Sequence, residues 1–343
     1  MWQSISMRDS FMPVGTWAVV LAVDQELPNP MDIASPKAPA LIANPFVVGR
    51  PLTAVSSSLY IGREDLFAWL GENLSGAGQS NALLLYGPRR IGKTSTLYQL
   101  VEGERGRSLR ENRARRLFPA YIDLQRYAGR PTDEWLRCLA RDVCRRVNTS
   151  NLERSTPDSA LPGETAFAAF DRCLDRLEET LPDDGLILLA IDEVEEIRAG
   201  IEAGTLEPEV LAYLRSQIQH RARVIFLLCG SAALLQPFWS SLVNLTARHE
   251  VSLLDFDQTT TLIRRPVEGF LTIEDEAVAG IWEYTKGHPF LIQTICHRLV
   301  SLANRRHERL PIEAGDVDKV IERLIIDGYT NDGFTDEPPG LHS

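Results

Sequence analysis

Lys93 and Thr94 close the segment Gly87-Pro88-Arg89-Arg90-Ile91-Gly92-Lys93-Thr94, which has the spacing G-x-x-x-x-G-K-[ST]. A loop of this length can curl around a phosphate with its backbone N–H groups turned inward. Gly87 and Gly92 permit backbone angles and a closeness of approach that side chains would forbid. The ε-ammonium of Lys93 then reaches the terminal phosphates of a nucleotide, and the Thr94 hydroxyl becomes a hard oxygen ligand for Mg²⁺. The whole run from Gly87 to Ser95 is therefore a candidate cofactor-binding loop for a nucleoside triphosphate with Mg²⁺.

Such a loop works only between a strand and a helix. The apolar run Ala82–Tyr86 before it and the segment Thr94 to Val101 after it supply both, and the helix turns its positive end to the same anion. A second apolar run, Leu186 to Asp192 (LILLAID), reads as a central parallel strand covered on both faces. It ends in Asp192-Glu193 at the carboxyl end, where open α/β sheets hold their ligands. Asp192 is the expected metal ligand beside Thr94, and Glu193 the group that activates the attacking water. Glu195 and Glu196 read as the start of a surface helix. Val224 to Ser231 gives another buried strand, and Ser231 at its end is a candidate polar contact for the γ-phosphate. A strand that stops in Gly-Ser also reads as a simple turn. Catalytic candidates are thus Lys93, Glu193 and Ser231.

Around this centre the chain alternates strands with helices. A helix is expected from Glu64 to Leu74, a strand at Leu117 to Leu124, and helices at Thr132–Val147, at Glu164 to Leu181 and at Glu207 to Arg221. A fifth strand is expected at Val251 to Phe256. The result is an α/β three-layer sandwich with a five-stranded parallel sheet of the additional-strand class. Beyond Asp257 strand signals stop, and helices are expected at Asp257–Val267, Ile273–Lys286, Pro289–Arg305 and Ala314–Asp327. The expected organisation is an N-terminal strand and proline-rich linker (1–44), an α/β domain (45–256), a helical lid (257–328) and a disordered tail (329–343).

Composition narrows the class. The 343 residues carry a net charge of −11, which disfavours a surface that binds nucleic acid over most of its extent. The arginine-rich tract from Arg105 to Arg116 leaves a local basic patch open. Five cysteines with no C-x-x-C spacing read as reduced core residues of a cytoplasmic protein, without a zinc site. The apolar stretch Val14 to Val23 is too short to span a bilayer, and no membrane association is expected.

The loop GPRRIGKTS, the segment Gly62-Arg63-Glu64, the strands LLAIDEVEEI and LLCGS, and Gly287-His288-Pro289 together resemble STAND-type ATPases. These are AAA+-related switches that include archaeal ATPases and plant NB-ARC proteins, and the resemblance covers about residues 45–328. It implies that Gly287 and Pro289 pack on the nucleotide and couple its state to domain opening. It further implies that Gly62 and Arg63 lie at the adenosine end, and that the nucleotide is ATP. Gly-x-Pro is equally an ordinary helix break and start. STAND proteins usually continue into a winged helix and sensor repeats, whereas this sequence runs only a short way past the lid helices.

Two functions of different class follow. One is a slowly hydrolysing, ATP-controlled switch whose partner is a protein or another copy of the chain. The other is an AAA+-like ATPase acting on DNA, in transposition or replication initiation, resting on the arginine tract. A binding-only protein with decayed hydrolysis fits less well, since Lys93, Thr94, Asp192 and Glu193 are all present. Arg215, Arg221 and Arg223 are candidates for a residue that acts on a neighbouring subunit's nucleotide.

Overall fold

The computed structural model describes residues 41–75, 81–112, 115–147, 163–306 and 310–328. The expected strand within 14–23, the linker up to residue 40, the loop at 148–162 and the tail from 329 lie outside the described residues. The described residues belong to one compact unit.

Five parallel strands make the sheet: β1 (Ala82–Tyr86), β2 (Arg116–Asp123), β3 (Gly185–Asp192), β4 (Val224–Gly230) and β5 (Ala247–Glu250), in the order β2-β3-β4-β1-β5. β3 thus separates the strand that carries Pro119 from the rest, and β2 lies at an edge, where a missing N–H is tolerated. The apolar runs of β3 and β4 are buried along their full length. Alternation along β1 sends Leu83 and Leu85 to one face and Ala82 and Leu84 to the other.

The first face packs on α1 (Glu64–Ser75) and α2 (Lys93–Val101) through Leu66, Leu70, Leu97 and Leu100. The second packs on α4 (Thr132–Val147), α5 (Ala166–Thr180) and α7 (Glu209–His220) through Trp135, Phe170, Val210 and Leu214. Between these lie two short helices, α3 (Arg107–Arg110) and α6 (Glu196–Glu202), and α8 (Ser240–Val243) follows β4. The three-layer α/β sandwich is as expected. The helical part is built from α9 (Phe256–Arg264), α10 (Asp275–Thr285), α11 (Pro289–Arg305) and α12 (Ala314–Ile326) around a cluster of its own that includes Leu262, Ile281, Ile295 and Leu324. No helix among the described residues is long and apolar enough to cross a membrane.

Three expectations need correction. The fifth strand is Ala247–Glu250, not Val251 to Phe256. As an edge strand half open to solvent it carries no apolar run, and the apolar residues that follow serve the crossing to the helices. Val251 N–H still donates to the Tyr86 carbonyl at 2.8 Å, while Leu254 N–H already donates to Gly287 at 3.0 Å. Second, Cys144 and Cys173 are joined in a disulfide between α4 and α5, whereas Cys138, Cys229 and Cys296 are free. Spacing along the chain could not show that α4 and α5 bring these two positions together. Third, the end of the expected linker, residues 41–44, is already tied to the helical part. Ile42 and Phe46 are buried in the helical cluster, and Ile42 exchanges two hydrogen bonds with the Asn304 side chain, at 2.8 and 2.9 Å.

Candidate functional site

The loop between β1 and α2 is shaped by local chemistry. Gly92 caps α2 in a left-handed conformation (φ 104°), and Gly87 has no room for a side chain because a Cβ there would stand 2.9 Å from the Val251 carbonyl. Lys93 is buried, and its Nζ donates to the carbonyls of Gly87 (2.8 Å) and Pro88 (2.9 Å), so the ammonium lies inside the curl of the loop. Thr94 Oγ1 donates to Asp192 Oδ2 at 2.7 Å, which joins the first turn of α2 to the end of β3. Ser95 faces the other way, its hydroxyl accepting from Leu52 N–H at 3.0 Å.

Asp192 is buried and heavily used. Tyr121 OH, from the neighbouring strand β2, donates to Oδ2 at 3.2 Å, and Glu193 N–H donates to Oδ1 at 3.1 Å. Burial pushes the Asp192 carboxyl above its ordinary range, opposed by hydrogen bonds from Thr94, Cys229, Tyr121 and the Glu193 backbone. Glu193 is half-buried and has a left-handed backbone (φ 54°), which is uncommon for a residue with a side chain. Its carboxyl is raised by burial first and then by the charges of Asp192 and Glu195, with Lys93 and Arg89 opposing. That direction moves it toward the range useful to a general base. Ser231 ends β4 beside these groups. Its Oγ accepts from Ala233 N–H at 3.3 Å, and its own N–H donates to the Glu195 carboxylate. Glu195 therefore turns inward to β4 and is not simply the start of a surface helix.

The opposite flank of the loop meets the helical part. His288 Nε2 lies 3.2 Å from the Arg89 carbonyl, which can only accept, so Nε2 carries the proton. The Arg90 guanidinium stands 4.3 Å from the centre of the Phe290 ring. Arg63, buried and with φ 72°, donates from Nη2 to the Ile91 carbonyl at 3.1 Å and from Nη1 to the Ser252 carbonyl. Gly287 (φ 83°) packs so closely that a Cβ would stand 2.0 Å from the Leu254 carbonyl oxygen. Pro289 is the first residue of α11, with His288 before it as the cap. The expected binding residues Gly87 to Thr94, Arg63, Gly287 and Pro289 thus gather around one loop, and the acids at 192 and 193 close its other side.

Residue spacing missed Tyr121, Cys229, Glu195, His288 and Phe290. Tyr121 and Cys229 come from strands that flank β3 and enter through strand order, His288 and Phe290 come from the start of α11, and Glu195 comes from the turn after β3 itself. Two of the three arginines considered for action on a neighbour are bound internally. Arg221 pairs with Asp171 at 3.3 Å and with Asp175, and Arg223 Nη1 donates to the Glu178 carbonyl at 2.8 Å. Arg215 is exposed. In the basic tract, Arg105 pairs with Glu64 at 2.9 Å, Arg107 with Glu104 at 3.0 Å, and Arg110 donates to the Leu100 carbonyl at 2.7 Å. The tract is a turn and a four-residue helix leading into β2, and Arg113 lies outside the described residues.

Among solved structures, the chain is similar to the ORC2 protein of Aeropyrum pernix in ADPNP–ADP complexes. The TM-score is 0.53 and the identity 15%, over 81% of this chain and 70% of that one. It is similar also to the Aeropyrum pernix ORC1 protein in complex with DNA, with TM-score 0.51 and identity 16% over 77% of this chain and 65% of that one, just under two thirds of the ORC1 chain. The Thermotoga maritima RuvB Holliday junction branch migration motor gives TM-score 0.49 and identity 18%, over 82% of this chain and 76% of that one. At these identities the likeness to the two ORC proteins concerns the fold alone. Comparison with curated proteins gives no match. The profile of the family described as an ATPase domain predominantly from Archaea matches residues 63–295, and the chain belongs to that family of ATPases.

Proposed function

We propose that the protein binds ATP with Mg²⁺, hydrolyses it slowly, and uses the nucleotide state to set how the helical lid lies against the ATPase sandwich. Lys93 neutralises the β- and γ-phosphates. Thr94 and Asp192, already in contact, supply the oxygen donors for the metal, and Glu193 takes the proton of the attacking water. The donor set fits Mg²⁺. Among the described residues no group of three or more His, Cys, Asp or Glu is placed to hold a metal. Mg²⁺ commonly needs only one or two protein oxygens beside phosphates and water. When bound, it would neutralise charge developing on the phosphate oxygens.

The observation that carries the switch reading is the direct contact of the lid with the phosphate loop, through His288 on Arg89 and Phe290 on Arg90. A ligand that reshapes that loop interacts differently with the two lid positions, which is the requirement for shifting their populations. The STAND resemblance points the same way and makes the controlled partner a protein or a second copy of the chain.

Action on DNA is the second reading. The net charge alone does not disfavour it, because the same fold occurs in a protein solved with DNA. Against it stands the internal use of Arg105, Arg107 and Arg110. Two measurements separate the readings. The Glu193→Gln form should hold ATP without turnover and change its association state or captured partner between ATP and ADP. Salt-dependent DNA binding should be weak at near-physiological ionic strength, with or without ATP. Micromolar, ATP-dependent DNA binding that disappears on replacing Arg113, Arg115 and Arg116 by Gln would favour the DNA reading. In that case the log–log salt slope is about −0.9 per phosphate contacted.

A further inference from the structure

The turn after β3 meets the end of β4 through its backbone and through a side chain. Val194, which is buried, donates its N–H to the Cys229 carbonyl at 3.1 Å, and within the turn Glu196 N–H donates to the Glu193 carbonyl at 3.0 Å. The side-chain fastening from this turn is Glu195, whose Oε1 accepts from Ser231 N–H. Room for it exists because β4 ends in glycine: a Cβ on Gly230 would stand 2.3 Å from Glu195 Oε2. Gly230 is not among the residues with left-handed backbone, so its lack of a side chain serves this close approach. Oε2 itself is buried and has no hydrogen-bond partner among the described residues. Stability alone offers no reason to keep such an oxygen.

We infer that Glu195 is a positioning residue for hydrolysis: it ties the turn bearing Glu193 to Ser231, so that the water-activating carboxylate and the polar end of β4 keep one fixed separation. Glu193 needs such a tie because its left-handed backbone is held by its surroundings, not by its own preference. Lose the tie and the turn relaxes, moving the carboxylate away from the water it must reach. A misplacement of about 1 Å in such a group can lower a rate about a hundredfold. The inference rests on the ATPase reading with Glu193 as the base.

The test compares single-turnover ATP hydrolysis, nucleotide affinity and thermal midpoint in Glu195→Ala, Glu195→Gln, Glu193→Gln and the Glu193→Gln/Glu195→Ala double variant. Glu195→Ala should hydrolyse about tenfold to a hundredfold more slowly, with ATP affinity within about threefold and a thermal midpoint lowered only modestly, because the loss of the acceptor for Ser231 N–H is offset in part by removal of the unsatisfied Oε2. Glu195→Gln can still accept from Ser231 N–H and should restore most of the rate. If Glu195 acts through Glu193, its loss should add little in the Glu193→Gln background. A wild-type rate in Glu195→Ala, or a full additive loss in the double variant, would overturn the inference while leaving the ATPase reading intact. A wild-type rate in Glu193→Gln would instead remove Glu193 as the base.

Discussion

The phosphate loop has two flanks of unlike character. On the sheet side, Lys93 donates to the carbonyls just after β1 and Thr94 to the carboxylate at the end of β3, short hydrogen bonds in which one partner carries the charge. On the lid side, Arg89 and Arg90 meet α11 through one imidazole hydrogen bond and one cation–π contact. The first set is fixed by strand register, because Asp192 cannot move without the sheet. The second can be broken and remade for roughly 1–2 kcal/mol per contact. In the proposed function, chemistry sits on the stiff flank and coupling on the compliant one.

The largest test of this contrast is Lys93→Ala. At ligand a hundredfold above its dissociation constant, binding stabilises a fold by about 2.7 kcal/mol. The wild type should show a clear rise in thermal midpoint with ATP–Mg²⁺ and the variant none. An equal rise in both would mean that the stiff flank does not hold the nucleotide.

Gly287→Ala comes next. It forces a methyl group into the Leu254 carbonyl at a left-handed backbone position, and together these should cost about 2–4 kcal/mol. Urea unfolding measures it. A loss below about 0.5 kcal/mol would show that Leu254 gives way easily, and that the hinge between β5 and the lid is soft.

Phe290→Ala should leave ATP hydrolysis chemistry untouched and remove the ring from beneath Arg90. A double-mutant cycle with Arg90→Ala should return a coupling of about 1 kcal/mol. No coupling would place lid control elsewhere than on this ring.

The smallest effect concerns pH. Burial depresses the His288 imidazole below its ordinary value, with Arg90 and Arg63 pushing the same way. The folded protein thus binds this proton less readily than the unfolded chain. The contribution to stability is present above the unfolded value of about 6.5 and is lost as pH falls below it. His288→Gln should flatten that part of the stability–pH curve. An unchanged curve would mean that another group carries the acid sensitivity.

The stiff flank was legible in the sequence and most of the compliant one was not. Gly87, Lys93, Thr94, Asp192 and Glu193 announce themselves because their spacing or their place at a strand end follows from the chemistry. The helix near 132–147 was legible through apolar spacing to within a residue, Thr132 being its first residue and not its cap, and Pro289–Arg305 through a proline at the first helical position. Tyr121 was hidden because its relation to Asp192 exists only once β2 lies beside β3. Glu195 was hidden because an acid after a Walker-type strand looks like any helix start, although the glycine at 230 was a signal that something approaches there. The edge strand β5 was misplaced because Ala-Arg-His-Glu carries no apolar run.

The strap before α1 also has a definite length. Val47 N–H is anchored to Gln293 of α11 at 3.1 Å, and Leu52 N–H to Ser95 of α2 at 3.0 Å. Chain between those two anchors, fully drawn out, reaches about 18 Å. It is a leash. In the proposed switch, while both anchors hold, the helical part would rock over a bound nucleotide but could not swing far from the helix that follows the phosphate loop. Any wider opening must first unzip one end of it, which gives the motion a stop set by covalent chain.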